Sequence, residues 1–550
     1  MKTLNRIFTG MLALSFCAAC SLDRSPLTSY GSDTFLTNEQ NAQLALTGLY
    51  HAQITFGSEE YNCTDWWSYQ GILMLDVISD NGWDRRGTGS NMARITSGTL
   101  TASNSPSVAS YWSNSYKKIA ACNDYLQRLS VTTGIPDESM KRLLGEARFL
   151  RAAQYFYLAS YFHDVPLVTA TLSMEEANTV SKSSRAAVTD WVIQEFKEAA
   201  ENLPLWSQVE YGRANRQAAL AFKGRTEMMM GKWTDAAASF KAIIDLNENT
   251  LAPSYPNLFQ PATADALSEN IFVMRYDNDK CGSGVLKQFN PTMDGAVGGW
   301  CLHNVTASLF EAYQFTDGTD FSYKSSQYNP ADLAANRDPR LAQTIYWNGA
   351  VFGKGIFNCD PDDAPAAGKD RLHASYQCTK TGYMMRKYID ENYIYNGGDS
   401  NKYPLKIPIV RYADVLLSYV EARMEAGSLT ASDLVYLNMV RSRSGMPDIN
   451  DTAPDALRPK LRNERRVELA LEGTRLWDLL RWGTAAKALT GDFWGASFPG
   501  SPATIARNSG QGKVDPEGVD RWYAGTRNFA GGPSVWPIPQ SEQDINPNLK

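Results

Sequence analysis

NRQAALAFKGRTEMMMGKWTDAAASFKAIID, residues 215–245, decides the fold class. Its apolar residues recur at three- and four-residue intervals on both sides of Gly231-Lys232-Trp233, the pattern of two amphipathic helices joined by a tight turn. Gly224 and Ala236 are small, and Phe240 and Ile243 share their inner face, so the two helices are expected to approach closely.

Working outward, the same period returns on either side. NEQNAQLALTGLYHAQ (38–53) opens on an N-capping Asn38 and aligns Ala42, Leu46 and Leu49. VASYWSNSYKKIAACNDYLQRL (108–129) repeats the stripe through Tyr111, Trp112, Ile119 and Leu126. ESMKRLLGEARFLRAAQYFYLASYF (138–162) places Leu143, Ala147, Leu150, Tyr157 and Tyr161 on one face and stops ahead of Pro166, which disfavours helix at Val165. RYADVLLSYVEARMEAG and LVYLNMVRSRSG (411–427, 434–445) form a second pair. The spacings are those of tetratricopeptide-type units, scattered through the chain and not set in a clean array. Between about 250 and 408, Gly, Pro, Asn and Asp are frequent and apolar runs are short, so loops with short strands are expected. The expected organisation is a leader over 1–19, helical repeats over 20–249, a large irregular loop-rich lobe inserted at 250–408, and helical repeats with an irregular tail over 409–550 that pack with 20–249.

Composition bounds the function. The chain has 550 residues, 43% hydrophobic and 20% charged, with a formal net charge of −6. A mildly acidic body argues against nucleic acid as a partner. At the start, Lys2 and Arg6 precede an apolar run too short to span a bilayer, ending in Cys17-Ala18-Ala19-Cys20. This reads as a cleaved leader with a lipobox-like end, which makes Cys20 the acylated anchor of the mature chain. No later stretch is apolar enough to cross a membrane. Six cysteines follow Cys20: Cys63, Cys122, Cys281, Cys301, Cys359 and Cys378. Their wide spacing leaves free buried thiols and one or two bridges equally open.

Catalytic signatures are missing. With four His there is no H-E-x-x-H or similar ligand spacing, and no nucleophile elbow, Walker loop or dinucleotide fingerprint is present. No cofactor is expected. The acidic, loop-rich composition leaves room for a structural Ca²⁺, but no contiguous ligand motif supports one. ERRVELALEGTRLWDLLRWG (464–483) is the most charged helical stretch. Glu472/Arg475 and Asp478/Arg481 stand at i,i+3 spacing, and a structural helix tied by ions is the expected reading.

The ordered set GEARFLRAAQYFYLASYFHDVPLV (145–168), RDPRL (337–341), TGY…KY (381–388), IPIVRYADVLLSYVEA (407–422), N-x-x-R-x-R-x-G (438–445), LRNERRVELALEGTRLWDLLRWG (461–483) and the closing WPIPQSEQDINPNL, behind the Cys20 leader, resembles the SusD/RagB family. The resemblance implies a mainly α fold, a right-handed superhelix of tetratricopeptide units carrying a loop-rich lobe. It implies no catalysis. The family's role would be glycan capture at the outer-membrane surface, as a hinged lid on a SusC-like TonB-dependent transporter. A peptide-capturing RagB-like lid and a surface glycoside hydrolase are the rival readings.

Within the family the chain resembles the fructan- or levan-binding branch. That resemblance implies a glycan site of Glu39 and Asn41, Asp65 (in TDWW), Trp83 (in SDNGWD), Cys301 with Trp300 (in GGWC), Arg371, and Tyr395 or its neighbour Tyr393. A furanose offers no broad flat face, so one stacking ring amid many polar groups is expected, with Trp83 as the ring. Each position has a structural alternative: core packing for Trp83, an N-cap or ion pair for Asp65, a disulfide to Cys281 for Cys301.

Overall fold

The computed structural model describes residues 36–50, 65–87, 90–279, 281–293, 296–363, 370–372 and 377–550. The principal helices are α1 (Glu39–Tyr50), α2 (Tyr69–Val77), α3 (Pro106–Leu129), α4 (Asp137–Tyr161), α5 (Arg185–Asn202), α6 (Arg216–Met229), α7 (Trp233–Leu246), α8 (Tyr412–Glu425), α9 (Leu434–Arg443), α10 (Pro454–Glu468) and α11 (Arg475–Arg481). Their starts follow from local chemistry. The Asn38 carboxamide accepts the Asn41 N–H at 2.9 Å, and the Asn215 side chain caps α6 by accepting the Ala218 N–H at 2.9 Å. Successive helices lie side by side: α4 against α3 and α5, α6 against α5 and α7. In the α6–α7 pair a β-carbon on Gly224 would come within 2.7 Å of the Phe240 ring, so the glycine is what lets the two axes close.

The helical series is interrupted in sequence but not in space. α7 packs directly on α8, and α8 on α9 and α10, although residues 247–411 separate α7 from α8. The intervening chain leaves through β2 (Asn270–Arg275) and returns through β6 (Lys406–Arg411), which pair antiparallel with Val273 opposite Pro408. A four-stranded sheet runs β1 (Gly82–Asp84), β3 (His303–Val305), β5 (Met384–Met385), β4 (Ile345–Tyr346). A strand from the N-terminal region thus edges a sheet of the lobe. β7 (Thr490–Ser497) and β8 (Arg521–Asn528) form a bulged antiparallel pair where an irregular tail was expected.

Two packing centres hold the frame. Trp66 stacks with Tyr111, Tyr157 and Tyr161 at 4.0, 4.9 and 5.4 Å between centroids, and Trp536 of the closing segment completes the stack at 6.0 Å. The second centre is ionic. The buried Glu468 carboxylate receives Arg340 at 2.8 Å, Arg411 at 2.9 Å and Arg443. Arg411 also reaches Glu269 and Glu472, and Arg340 reaches Glu464. Burial alone would raise the Glu468 carboxyl, but Arg443, Arg411 and Arg340 outweigh it and hold the group well below the ordinary carboxylate range.

The charged stretch therefore has the expected structural role, with one correction. Asp478 and Arg481 pair at 2.8 Å, but Glu472 does not meet Arg475. The helix ends at Glu468, and Leu471 and Gly473 take left-handed φ of 64° and 76°. The i,i+3 relation is lost there. Glu472 turns to Lys387 and Arg411, and Arg475 to Asp80.

Candidate functional site

The lobe presents a compact loop between the short helix Val285–Phe289 and β3. The N–H groups of Trp300, Cys301 and Leu302 donate to the carbonyls of Lys287, Asn290 and Gln288 at 2.9, 3.0 and 2.8 Å, zipping the two arms together. Gly299 is required by this closeness, since a side chain there would run into the Asn290 carbonyl.

Asp370 clasps the loop from outside. Its carboxylate accepts from the Thr292 N–H at 2.7 Å, the Thr292 hydroxyl at 2.9 Å and the Met293 N–H at 2.7 Å, with the Cys301 thiol 3.8 Å away. Met293 and Cys301 both hold left-handed backbone, φ 46° and 50°. That conformation is costly for side chains with a β-carbon and persists only where the surroundings enforce it. Burial, and secondly the Asp370 charge, pushes the Cys301 thiol well above its usual range, so it stays a protonated donor.

Trp300 stands half-buried on this loop, with the Lys287 ammonium 5.4 Å from the centroid of its ring. Arg371, next to Asp370, donates to the Asp363 carbonyl at 2.5 Å. Tyr395 packs on Gly353, and a side chain at Gly355 would meet both the Met293 methyl at 2.8 Å and the Tyr395 hydroxyl at 3.9 Å. Tyr393 instead stacks edge-on with Tyr403 at 5.1 Å. Trp300 and Cys301 thus share one loop, Arg371 follows the Asp370 that clasps it, and Tyr395 lies across Gly355 from Met293.

Around that loop, several buried polar atoms have no hydrogen-bond partner among the described residues: Gln288 Oε1, Asn290 Oδ1, Arg371 Nε and both nitrogens of His303. Native structures leave few such atoms, and where they gather a ligand is a natural partner. His303 is driven to a pKa of about 3 by burial, against an opposing pull from Asp84, so its ring is neutral.

The other expected positions lie elsewhere. Trp83 is one strand away, opposite Asn304. It is only 8% exposed. The Arg527 guanidinium sits 4.8 Å from its ring centroid, Phe493 packs at 5.8 Å, and Gly525 abuts its far edge. The adjoining cleft, about 30 Å³, has room for a water or two, less than a sugar ring needs. Trp83 does not offer the free face expected of a stacking plate. Asp65 is buried in an ion pair with Lys118 at 3.1 Å. Glu39 accepts from the Ser139 hydroxyl at 2.5 Å. Glu39 and Asn41 are in the first turn of α1, which meets α3 where Tyr125 donates to the Ala42 carbonyl. Tyr125 is two helical turns, about 10 Å, beyond Lys118.

Asp370, Thr292, Asn290 and Gln288 were not singled out in the sequence, and no spacing signals a contact between positions 292 and 370. Cys281 and Cys301 are both free thiols, as are Cys122 and Cys359, so the Cys281–Cys301 bridge is not formed. Cys20 and Cys63 lie outside the described residues. Among the described residues no cluster of three or more His, Cys, Asp or Glu is placed to hold a metal ion, and no helix is long and apolar enough to cross a membrane.

This mainly helical architecture is that of solved SusD-like proteins. The chain belongs to the SusD family: the model of that name matches residues 268–550, and one described as starch-binding, associating with outer membrane, matches residues 52–227. SusD-like protein P25 of Formosa agariphila is 24% identical over 515 residues, 88% of this chain and 90% of its own. The structure of a SusD-like carbohydrate binding protein from Bacteroides fragilis is 43% identical, with a TM-score of 0.88, covering 94% of this chain and all of that one (100%). Surface glycan-binding protein A from Bacteroides thetaiotaomicron, solved in complex with laminarihexaose, shares the fold at 20% identity and a TM-score of 0.67, over 94% of this chain and 99% of that one.

Proposed function

We propose that the protein is a non-catalytic glycan-binding lipoprotein of the outer-membrane surface, held by an acylated Cys20, that passes oligosaccharides to a SusC-like TonB-dependent transporter. The proposed ligand is a β-fructan, levan or its fructo-oligosaccharides. The observation that carries this reading is that the loop bearing the half-buried Trp300 also bears unpaired polar atoms, Gln288 Oε1 and Asn290 Oδ1, with Arg371 Nε next to the Asp370 that clasps it. A furanose needs that combination: hydroxyls pair with the polar atoms, and one indole takes the C–H edge. Trp300 then serves as the plate, and Trp83 braces the neighbouring strand. Asn41 and Glu39 contribute as a more distant rim, and Asp65, buried against Lys118, acts from behind as support. The carbohydrate-binding relative from Bacteroides fragilis supports a sugar ligand of some kind.

Calorimetry against levan, inulin, starch, xylan and peptides tests the proposal, with Trp300→Ala and Trp83→Ala as variants. Heat is expected with a β-fructan and is expected to vanish in Trp300→Ala. No heat with any fructan would end the substrate proposal, and heat with peptides alone would point to a RagB-like lid. New reducing ends during incubation with levan would point to a hydrolase.

A further inference from the structure

A second pocket, of about 230 Å³, opens along the charged stretch, lined by Arg462, Asn463, Arg466, Arg475, Trp482 and Thr484 among others. Its charge is unbalanced. Arg475 grips Asp80 through Nε and Nη2 at 2.8 and 2.9 Å. Arg466 uses Nε on Asn81 and Nη2 on Ser308 and Asp80. One carboxylate thus serves two guanidinium groups. The neighbouring acids are engaged as well: Glu421 takes both donors of Arg481 at 2.6 and 2.7 Å, and Glu425 takes Arg458 at 2.8 and 3.1 Å.

Arg462 is left over. Among the described residues it makes no hydrogen bond or ion pair, and its Nε is buried with no partner. It is held by stacking, its guanidinium 4.5 Å from the centroid of the Trp482 ring, where Arg475 and Arg481 also gather at 5.8 and 4.9 Å. Stacking fixes the plane and leaves the N–H edges to a ligand. Burial lowers its pKa; Glu421 and Glu425 oppose this more strongly than Arg481 and Arg458 add to it, but both acids are already bonded to Arg481 and Arg458.

We propose that this pocket binds a single tetrahedral oxyanion, a sulfate or phosphate group, through Arg462 and the remaining Nη1 donors of Arg466 and Arg475. Charge-assisted bonds from several guanidinium groups are the strong mode of oxyanion recognition. The site is independent of the glycan reading, since none of its residues lies on the Trp300 loop.

Thermal unfolding of the full chain at constant ionic strength, exchanging NaCl for sodium sulfate, selenate or phosphate, tests the proposal. A saturable rise in Tm of about 1 °C is expected at ten times the half-saturating concentration. In Arg462→Gln, which breaks no hydrogen bond, the half-saturating concentration is expected to rise tenfold or more, and Arg462→Lys is expected to lie between. Crystals soaked in selenate should show an anomalous peak in the pocket. Binding of a sulfated monosaccharide but not of its unsulfated parent assigns the oxyanion to a sugar, and binding of the free ions alone assigns it to solution. Equal responses to chloride, an unaltered Arg462→Gln titration or an empty pocket in the selenate crystals would each overturn it.

Discussion

At the residue scale, Asp370 fastens the loop that carries Trp300. It satisfies two backbone donors and one hydroxyl on a segment with two left-handed non-glycine residues. Asp370→Asn keeps the shape but loses the charge and half the accepting capacity, and is expected to cost about 1–3 kcal/mol of stability. Fructan affinity should fall with it, because Trp300 is no longer held; urea unfolding and calorimetry on one preparation check both. A pH prediction concerns His303 and Asp76. His303 falls from its ordinary 6.5 to about 3, so the stability it contributes is complete above 6.5 and is lost as pH drops through the folded value. Asp76 rises from 3.8 to about 6, through burial, against opposing bonds from Gly473 and Asn81. Its contribution is complete below 3.8 and is lost as pH climbs through 6. Between pH 6 and 4 the Asp76 slope opposes that of His303, but His163, lowered by burial to about 4, adds to the His303 side, so the wild type should lose stability on acidification. His303→Gln should flatten that loss, by up to about 1.4 kcal/mol per pH unit. Parallel wild-type and variant curves from denaturant midpoints at pH 7, 5.5 and 4 would refute this. At this scale the sequence was only partly legible. Trp300, Cys301 and Arg371 were reached through the resemblance to the fructan-binding branch, since no local pattern marks Arg371. The cover over Trp83 comes from Phe493 and Arg527, remote in the chain, and no local pattern announces it.

At the element scale, Gly224 lets α6 and α7 approach until the Phe240 ring fills the space a β-carbon would take. Gly224→Ala is expected to destabilise by about 1–3 kcal/mol through overpacking against Phe240. The denaturant midpoint should shift with the m-value unchanged, and ligand affinity of the folded fraction should be unaltered. Helices were the most legible elements, because a 3.6-residue period sustained over ten or more residues fits a helix and little else. The break after Glu468 was not legible, since Leu469, Ala470 and Leu471 continue the apolar pattern. What stops the helix is tertiary: the Gly473 N–H bonds to Asp76, and a side chain at Gly473 would strike Ile72. β7 and β8 escaped notice because bulges in their pairing and interior glycines spoil the two-residue alternation.

At the scale of the whole molecule, the ionic centre around Glu468 joins segments that the sequence shows only as separate motifs: RDPRL, the strand ending at Arg411, the Arg441–Arg443 turn and α10. Glu468→Gln leaves three buried guanidinium groups around one uncharged amide and is expected to cost about 3–5 kcal/mol, seen as a lowered thermal midpoint and earlier proteolysis of the lobe. The paired strands β2 and β6 have a different consequence. Because the insertion departs and returns at one narrow neck, it behaves topologically as a cassette plugged into the side of the solenoid. Relatives with other appetites offer ready donors for a transplant at that neck. The graft would have to bring its own partner for β1, whose edge the incoming sheet must accept.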